Sequence, residues 1–308
     1  MTDFSSQLKN IAEKSGQKTV QGIIPDKELV VKSETKTQFA ASLAKAKVKQ
    51  IPEPKAEDII EVKDLGAIAT WSFSTLKKFE ECPWQVKLHK IDKQKQKDSP
   101  AAQRGNLIHD MCEQFVVGNA DAMIGDKKTR LDHFKGAFDE LKNLYKEGIV
   151  SCEEEWGIRQ DWSPCSWEDP EIWGKAKLDA FVLESETSCR IIDYKTGRKF
   201  GNELKHNDQG LSYALHAYHK YPMLDHFTIE FWYLDQAEVM KRDFTRRQLS
   251  ILHQRYHKRA HNLTTAVEFT PKSNANSCRF CSYGCNKNKK GETYGTGICT
   301  FDFYRGLI

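Results

Sequence analysis

Asp193 and Lys195 stand two residues apart in the run Cys189-Arg190-Ile191-Ile192-Asp193-Tyr194-Lys195-Thr196-Gly197. Side chains two apart on a strand point the same way. Ile191, Asp193 and Lys195 therefore share one face, and Arg190, Ile192, Tyr194 and Thr196 the other. The run before it, Trp173 to Leu183, carries Asp179 and is joined to the second by the short polar stretch Glu184-Ser185-Glu186-Thr187-Ser188. Two such runs read as a β-hairpin, and in a suitable register Asp179 comes beside Asp193. Two carboxylates held together repel unless a cation intervenes, and their oxygens suit Mg²⁺ or Mn²⁺. An ammonium next to them could stabilise charge developing on a phosphoryl group or hold the attacking water. The chemistry in outline is metal-dependent cleavage of a phosphodiester. Asp-X-Lys alone also occurs on ordinary solvated strand faces. Here the apolar flanks, Gly197 at the strand end and polar residues at helical spacing on both sides raise it above that background.

The elements that must position this hairpin lie on either side. Ile108, Met111, Cys112 and Phe115 recur at helical spacing, and Gly118-Asn119 closes that helix. His109 and Glu113, four apart, share a neighbouring face; they form either a surface pair or part of the metal site. After the hairpin, Asn207-Asp208-Gln209 opens a second helix with Leu211, Ala214, Leu215 and Tyr218 as its apolar stripe. Gln209 and Tyr213 are again four apart. They are ordinary surface polarity, or else they bond beside the metal face. Residues 131–147 read as an amphipathic helix, Phe227–Leu234 and Glu238–Phe244 as another hairpin, and residues 246–267 as a long basic helix. Trp162, Trp167 and Trp173 could stack on unpaired bases, but packing in the core is their default.

With 308 residues the chain can bury a large core. A charged fraction of 29% and a mean hydropathy of −0.65 describe a polar chain with no membrane-length apolar run and no leader pattern, so a cytoplasmic location is expected. A net charge of +4 is too small to argue nucleic-acid binding by itself. Nine cysteines in such a chain favour free thiols or metal ligands over disulfides. The tail holds Cys278-X2-Cys281 with Cys285 four residues on and Cys299 beyond, a strong metal-ligand spacing. Thiolates there suit zinc or an iron–sulfur cluster. Residues 1–65, rich in Lys, Ser, Gln and Glu with only Phe4 and Phe39 as aromatics, read as a flexible arm. Residues 66–270 then form the core and 271–308 a cysteine-rich tail packing on it.

In order, these elements resemble the RecB-like branch of the PD-(D/E)XK nuclease superfamily, which includes the CRISPR-associated iron–sulfur exonucleases. The resemblance runs from about Trp71 to Cys285. It is carried by Cys82-Pro83, by Gly105-X3-His109 with Glu113 one turn later, and by Gly174 with Asp179. The run Asp193-Tyr194-Lys195-Thr196-Gly197, the pair Gln209-X3-Tyr213 and the late cysteines complete it. The chain departs from the pattern at Leu178, where a proline often stands, and in the short gap from Cys281 to Cys285.

The resemblance implies an α/β fold, a central mixed β-sheet flanked by helices with a restriction-endonuclease-like core. It implies that His109, Asp179, Asp193 and the Tyr194 carbonyl hold Mg²⁺ or Mn²⁺, that Lys195 activates water, and that Gln209, Tyr213 and Glu113 assist. It further implies a 4Fe–4S cluster on Cys82, Cys278, Cys281 and Cys285, with a structural Zn²⁺ using Cys299 as the alternative. The expected activity is a DNA exonuclease acting at a free end in repair, recombination or phage DNA metabolism. Its expected setting is a bacterial or phage-infected cell, with a helicase or recombination protein as a candidate partner. The alternative is a catalytically weak DNA-binding module on the same fold.

Overall fold

The computed structural model describes residues 64–96 and 99–305. The N-terminal arm expected over residues 1–65, with short helices near Ser5–Lys14 and Thr37–Lys49, lies outside them apart from its last two residues.

Seven strands form one mixed sheet flanked by helices, the fold class expected from the sequence. They are β1 (Trp71–Ser72), β2 (Val150–Ile158), β3 (Pro164–Cys165), β4 (Gly174–Leu183), β5 (Ser188–Lys195), β6 (His226–Tyr233) and β7 (Glu238–Thr245). Their order is β3-β2-β4-β5-β6-β7, with β1 also paired to β4. The β4–β5 hairpin is antiparallel, in the register Ala180↔Ile192 and Phe181↔Ile191. The paired register ends at Ala180↔Ile192, one residue short of Asp179 and Asp193. Strand β5 runs parallel to β6, Asp193↔Phe231 and Lys195↔Tyr233, and β6–β7 is the second hairpin.

The chain divides into two compact units. The first takes its described residues from Leu107–Glu154 and Leu178–Arg246. Its core gathers Ile108, Cys112 and Phe115 of α3 (Pro100–Val116), Phe134, Phe138 and Leu141 of α4 (Leu131–Lys146), and Ala180, Val182, Ile192, Tyr194 and Trp232 of the strands. Alternation on β5 therefore does what its sequence requires: Ile192 and Tyr194 go into this core while Asp193 and Lys195 turn to the other face. That face is covered by α5 (Glu203–Lys220). The helix comes down on β6 at Gly210, where a Cβ would sit 3.2 Å from Ile229 Cγ2. The sequence places the start of this helix at Asn207, but it begins four residues earlier, after Asn202. Asn207, Asp208 and Gln209 are unremarkable inside a helix, and Gly201 (φ +83°) supplies the turn before it.

The second unit takes its described residues from Ile60–Asn106, Glu155–Lys177 and Arg247–Ile308. Ser72 accepts from Thr75 N and caps α1 (Phe73–Glu81), and Pro83 opens α2 (Pro83–Lys90) where its missing N–H costs nothing. Trp71, Trp162 and Trp173 pack ring against ring in the core, with Trp162 and Trp173 fully buried. The packing default holds for both; Trp167 is half-buried under the Lys175 ammonium. On α6 (Arg246–Thr264), within this unit, Arg259 is paired with Glu80 of α1, while Arg247, Arg255 and Lys258 face solvent. The short α7 (Ala275–Cys278) leads into the tail.

Candidate active site

All seven side chains expected to serve hydrolysis belong to the first unit, and six of them gather at β4 and β5 in two bonded groups, Asp179 with His109, and Asp193 with Lys195, Gln209 and Tyr213. Asp179 breaks the ladder at the end of the hairpin. Its Oδ2 accepts from Tyr194 N at 2.5 Å, and its Oδ1 lies 3.2 Å from His109 Nδ1 of α3. Across from it Asp193 is almost wholly buried and carries three partners. Lys195 Nζ lies 2.5 Å from Oδ2, the Tyr213 hydroxyl donates to Oδ1 at 2.8 Å, and Gln209 Nε2 donates to the same oxygen at 3.2 Å.

Gln209 ties the group together. Its Oε1 accepts from Lys195 Nζ at 2.9 Å while its Nε2 also reaches the Tyr213 oxygen at 2.7 Å. Its two ends are thereby distinguished, carbonyl to the cation and amide to the anion, so the side chain has one orientation. Residues 209 and 213 present one face because they are four apart on α5. Of their two readings from the sequence, surface polarity and bonding beside the acidic face, the contacts are those of the second.

Burial and charge act together here. Burial raises the Asp179 pKa and the neighbouring Asp193 charge adds to that, while His109 and the Tyr194 N–H work against it. Burial disfavours charge on the His109 ring, but the hydrogen bond and charge of Asp179 outweigh it and the pKa is raised. Burial also pushes the Tyr213 phenol well above its usual range, with Asp193 adding to the shift, so it stays a hydrogen-bond donor.

Glu113 sits one turn beyond His109, half-buried, and contributes to the high pKa of Cys152 on β2, about 12, whose chief cause is burial. The hydrogen bonds that hold Asp179, Asp193 and Lys195 come instead from His109, the Tyr194 N–H, Tyr213 and Gln209.

The donors fit a hard divalent cation in kind: two carboxylates on one face with an imidazole beside them. Because Tyr194 N points at Asp179 and a strand residue's N–H and C=O point the same way, the Tyr194 carbonyl is also directed toward that side. In the structure the Lys195 ammonium and the His109 ring occupy the carboxylate oxygens. Among the described residues no three His, Cys, Asp or Glu side chains stand in metal-holding geometry.

A family model described as the PD-(D/E)XK nuclease superfamily matches residues 70–285. The chain belongs to the PD-(D/E)XK nuclease superfamily. None of the curated proteins matches it. Among solved structures, one titled "Crystal structure of SSO0001" is similar at 12% identity and a TM-score of 0.39, over 82% of this chain and 93% of that one.

The superfamily match spans the acidic hairpin, His109 and the Gln209–Tyr213 helix, and it includes Cys82, Cys278, Cys281 and Cys285. In this PD-(D/E)XK chain a cavity of the second unit is lined by Cys82, Cys278, Cys281 and Cys299, with Trp84 and Phe301 beside them. Burial pushes the Cys281 thiol up to about 11, and Cys299, Cys278 and Cys82 add to the shift, which puts the four within electrostatic reach of one another. Backbone N–H groups of Lys272 and Phe303 approach the sulfurs of Cys82 and Cys278 at 3.4 and 3.5 Å. Cys285 is not among the lining residues; its backbone N–H donates to Asp302 Oδ2 at 2.9 Å.

One residue on the Asp193–Lys195 face is not marked by the sequence motifs. His206, three before Gln209, shares a 2.6 Å hydrogen bond between its Nδ1 and the Tyr233 hydroxyl and stacks on Phe231. Burial, with the Lys195 charge second, lowers its pKa to about 4. The i, i+3, i+7 spacing of His206, Gln209 and Tyr213 carries the signal, and a helix taken to open at Asn207 leaves it out.

Proposed function

We propose that this superfamily member is a metal-dependent DNA exonuclease of the RecB-like branch, serving repair, recombination or phage DNA metabolism, with a helicase or recombination protein as partner. The observation that carries the hydrolytic reading is a pair of bonded groups on neighbouring strands, Asp179–His109 and Asp193–Lys195–Gln209–Tyr213, which bring two acids and one ammonium together.

Asp179, Asp193, His109 and the Tyr194 carbonyl are the groups to hold Mg²⁺ or Mn²⁺, which supplies Lewis acidity and a more acidic water when bound. Lys195 presents N–H groups to the attacking water or to a non-bridging phosphate oxygen, and its aim is set by Gln209 Oε1. Tyr213 and Gln209 fix Asp193 by hydrogen bonds to one oxygen and so decide where its other oxygen points.

The cysteine cavity supports a second, structural cofactor. We assign Cys82, Cys278, Cys281 and Cys299 as its ligand set, with a 4Fe–4S cluster first and Zn²⁺ second, because four thiols suit either. Cys285 in place of Cys299 is the competing set.

The test is digestion of end-labelled single- and double-stranded DNA with Mg²⁺, Mn²⁺ or EDTA. Metal-dependent loss of nucleotides from an end is expected, together with a fall on the order of a thousandfold in Asp193→Asn and a loss in kcat rather than KM in Lys195→Ala. DNA binding without cleavage by well-folded wild-type protein would establish the weak DNA-binding module instead.

A further inference from the structure

The connection from β5 to α5 and the first turn of that helix keep two large apolar side chains in water. Phe200 is 88% exposed and Leu204 is 85% exposed, four residues apart. Scattered apolar residues on a surface need no explanation, but a pair displayed together where the chain enters a helix does.

The connection is a built frame. Lys199 N donates to Gln236 Oε1 at 3.0 Å and Lys199 Nζ to Glu238 Oε2 at 2.7 Å, which pins it to the β6–β7 turn. Asn202 Nδ2 donates to Arg198 O at 2.8 Å, and Gly201 N to Glu203 Oε2 at 2.7 Å. Phe200 is thus held outward at low entropic cost to whatever binds it. The segment from Lys195 to Lys205 carries four cationic side chains against one carboxylate. Lys195 and Lys199 are engaged, while Arg198 and Lys205 face solvent. Five residues of chain reach at most about 18 Å, so Phe200 lies within a few nucleotides of the Lys195 ammonium.

We propose that Phe200, supported by Leu204, is a stacking platform for an unpaired base of the DNA strand entering the site, with Arg198 and Lys205 on its flanking phosphates. The inference rests on the nuclease reading and names its substrate class: single strands or frayed ends. An exposed ring flanked by solvent-facing cations complements a polyanion with flat bases better than it does an apolar protein surface. Bases inside a duplex have both faces covered by their neighbours, so an unpaired base offers the ring a face that the duplex interior does not.

The test is equilibrium binding by the full-length protein in EDTA, so that the strand stays uncut. The probes are an oligothymidylate containing one 2-aminopurine and a blunt duplex of equal length. Phe200→Ala is expected to weaken single-strand binding about tenfold and duplex binding less than about threefold, and to abolish the fluorescence change of 2-aminopurine. Phe200→Trp is expected to preserve both. Exchanging Arg198 and Lys205 for Gln is expected to flatten the salt dependence of single-strand binding by about 0.7 for each phosphate that is no longer neutralised. At 88% exposure, Phe200→Ala leaves the thermal midpoint where it was, so both proteins compared are folded. Unchanged single-strand affinity in Phe200→Ala, or equal losses on both DNAs, overturns the platform and leaves metal-dependent cleavage by the wild type standing. Wild-type protein that binds neither DNA and cuts neither with Mg²⁺ overturns both.

Discussion

Asp193 shows what the site asks of single residues. A nearly buried carboxylate is tolerable only when its charge is compensated, and here Tyr213 and Gln209 hydrogen-bond one oxygen while the Lys195 ammonium pairs with the other. Tyr213→Phe keeps the ring's packing and removes one donor, leaving Oδ1 to Gln209 alone. We expect a loss of about 1–2 kcal/mol in stability, measured by denaturant unfolding, and a fall in kcat larger than any change in KM. Unchanged kcat would mean that the phenol only fills space. His109 is the other informative residue. His109→Ala removes both an imidazole donor and the partner of Asp179 Oδ1, so activity should fall strongly and be recovered in part by excess Mn²⁺. A variant that is less stable but equally active per folded molecule would show a core histidine.

At the scale of elements, one helix sets the geometry of the Asp193–Lys195 face. Gln209 and Tyr213 reach Asp193 because α5 lies close on β6, and it lies close because residue 210 has no side chain. Gly210→Val puts a branched side chain against Ile229 and Phe231, where even a single Cβ would be 3.2 and 3.3 Å from their side-chain atoms. The helix must lift, at a cost of about 1–3 kcal/mol. Cleavage should fall further than that instability explains, because both donors move with the helix. Thermal unfolding and steady-state kinetics on the same preparation separate the two. A variant destabilised but fully active would place the control of Asp193 elsewhere.

Two effects belong to the whole molecule. His216 is fully buried with its Nδ1 2.8 Å from Ser212 O, and burial depresses its pKa to about 4. His257 takes a hydrogen bond from Trp162 Nε1 at 3.0 Å, and burial, then His261, lowers its pKa to about 4 as well. A histidine whose folded pKa lies below its unfolded value, about 6.5, takes up its proton more readily in the unfolded chain. Stability is therefore held above about pH 6.5 and lost as pH falls toward about 4, by on the order of 3 kcal/mol for His216. Denaturant midpoints at pH 7 and pH 5 check the sign; equal midpoints would refute it. The cysteine cavity is the second effect. A cofactor shared by Cys82 and the late cysteines, as proposed, would close a long loop and couple its binding to folding. Cys82→Ala and Cys299→Ala should each lose metal and stability, and Cys285→Ala neither, read by metal analysis and thermal unfolding. Metal loss in Cys285→Ala with Cys299→Ala intact would restore the ligand set expected from the sequence.

Local chemistry determined much of this protein before any fold was known. Alternation along residues 189–197 separated Ile192 and Tyr194 from Asp193 and Lys195, and a five-residue polar break made a hairpin of the two acidic strands, because a strand's period of two is fixed by its backbone. Helical spacing likewise paired His109 with Glu113 and Gln209 with Tyr213. Spacing along a helix could not say which member of a pair faces the acids. The tertiary structure turned His109 to Asp179 and left Glu113 beside Cys152, and it brought His206 onto the same face by starting α5 four residues early. Nor could spacing choose among the cysteines: Cys285 lies nearer Cys281 in the chain than Cys299 does, yet Cys299 lines the cavity and Cys285 does not. Which distant residues meet depends on how loops turn and how closely helices approach strands, as at Gly201 and Gly210. Those are decided by packing across the chain, which no local period encodes.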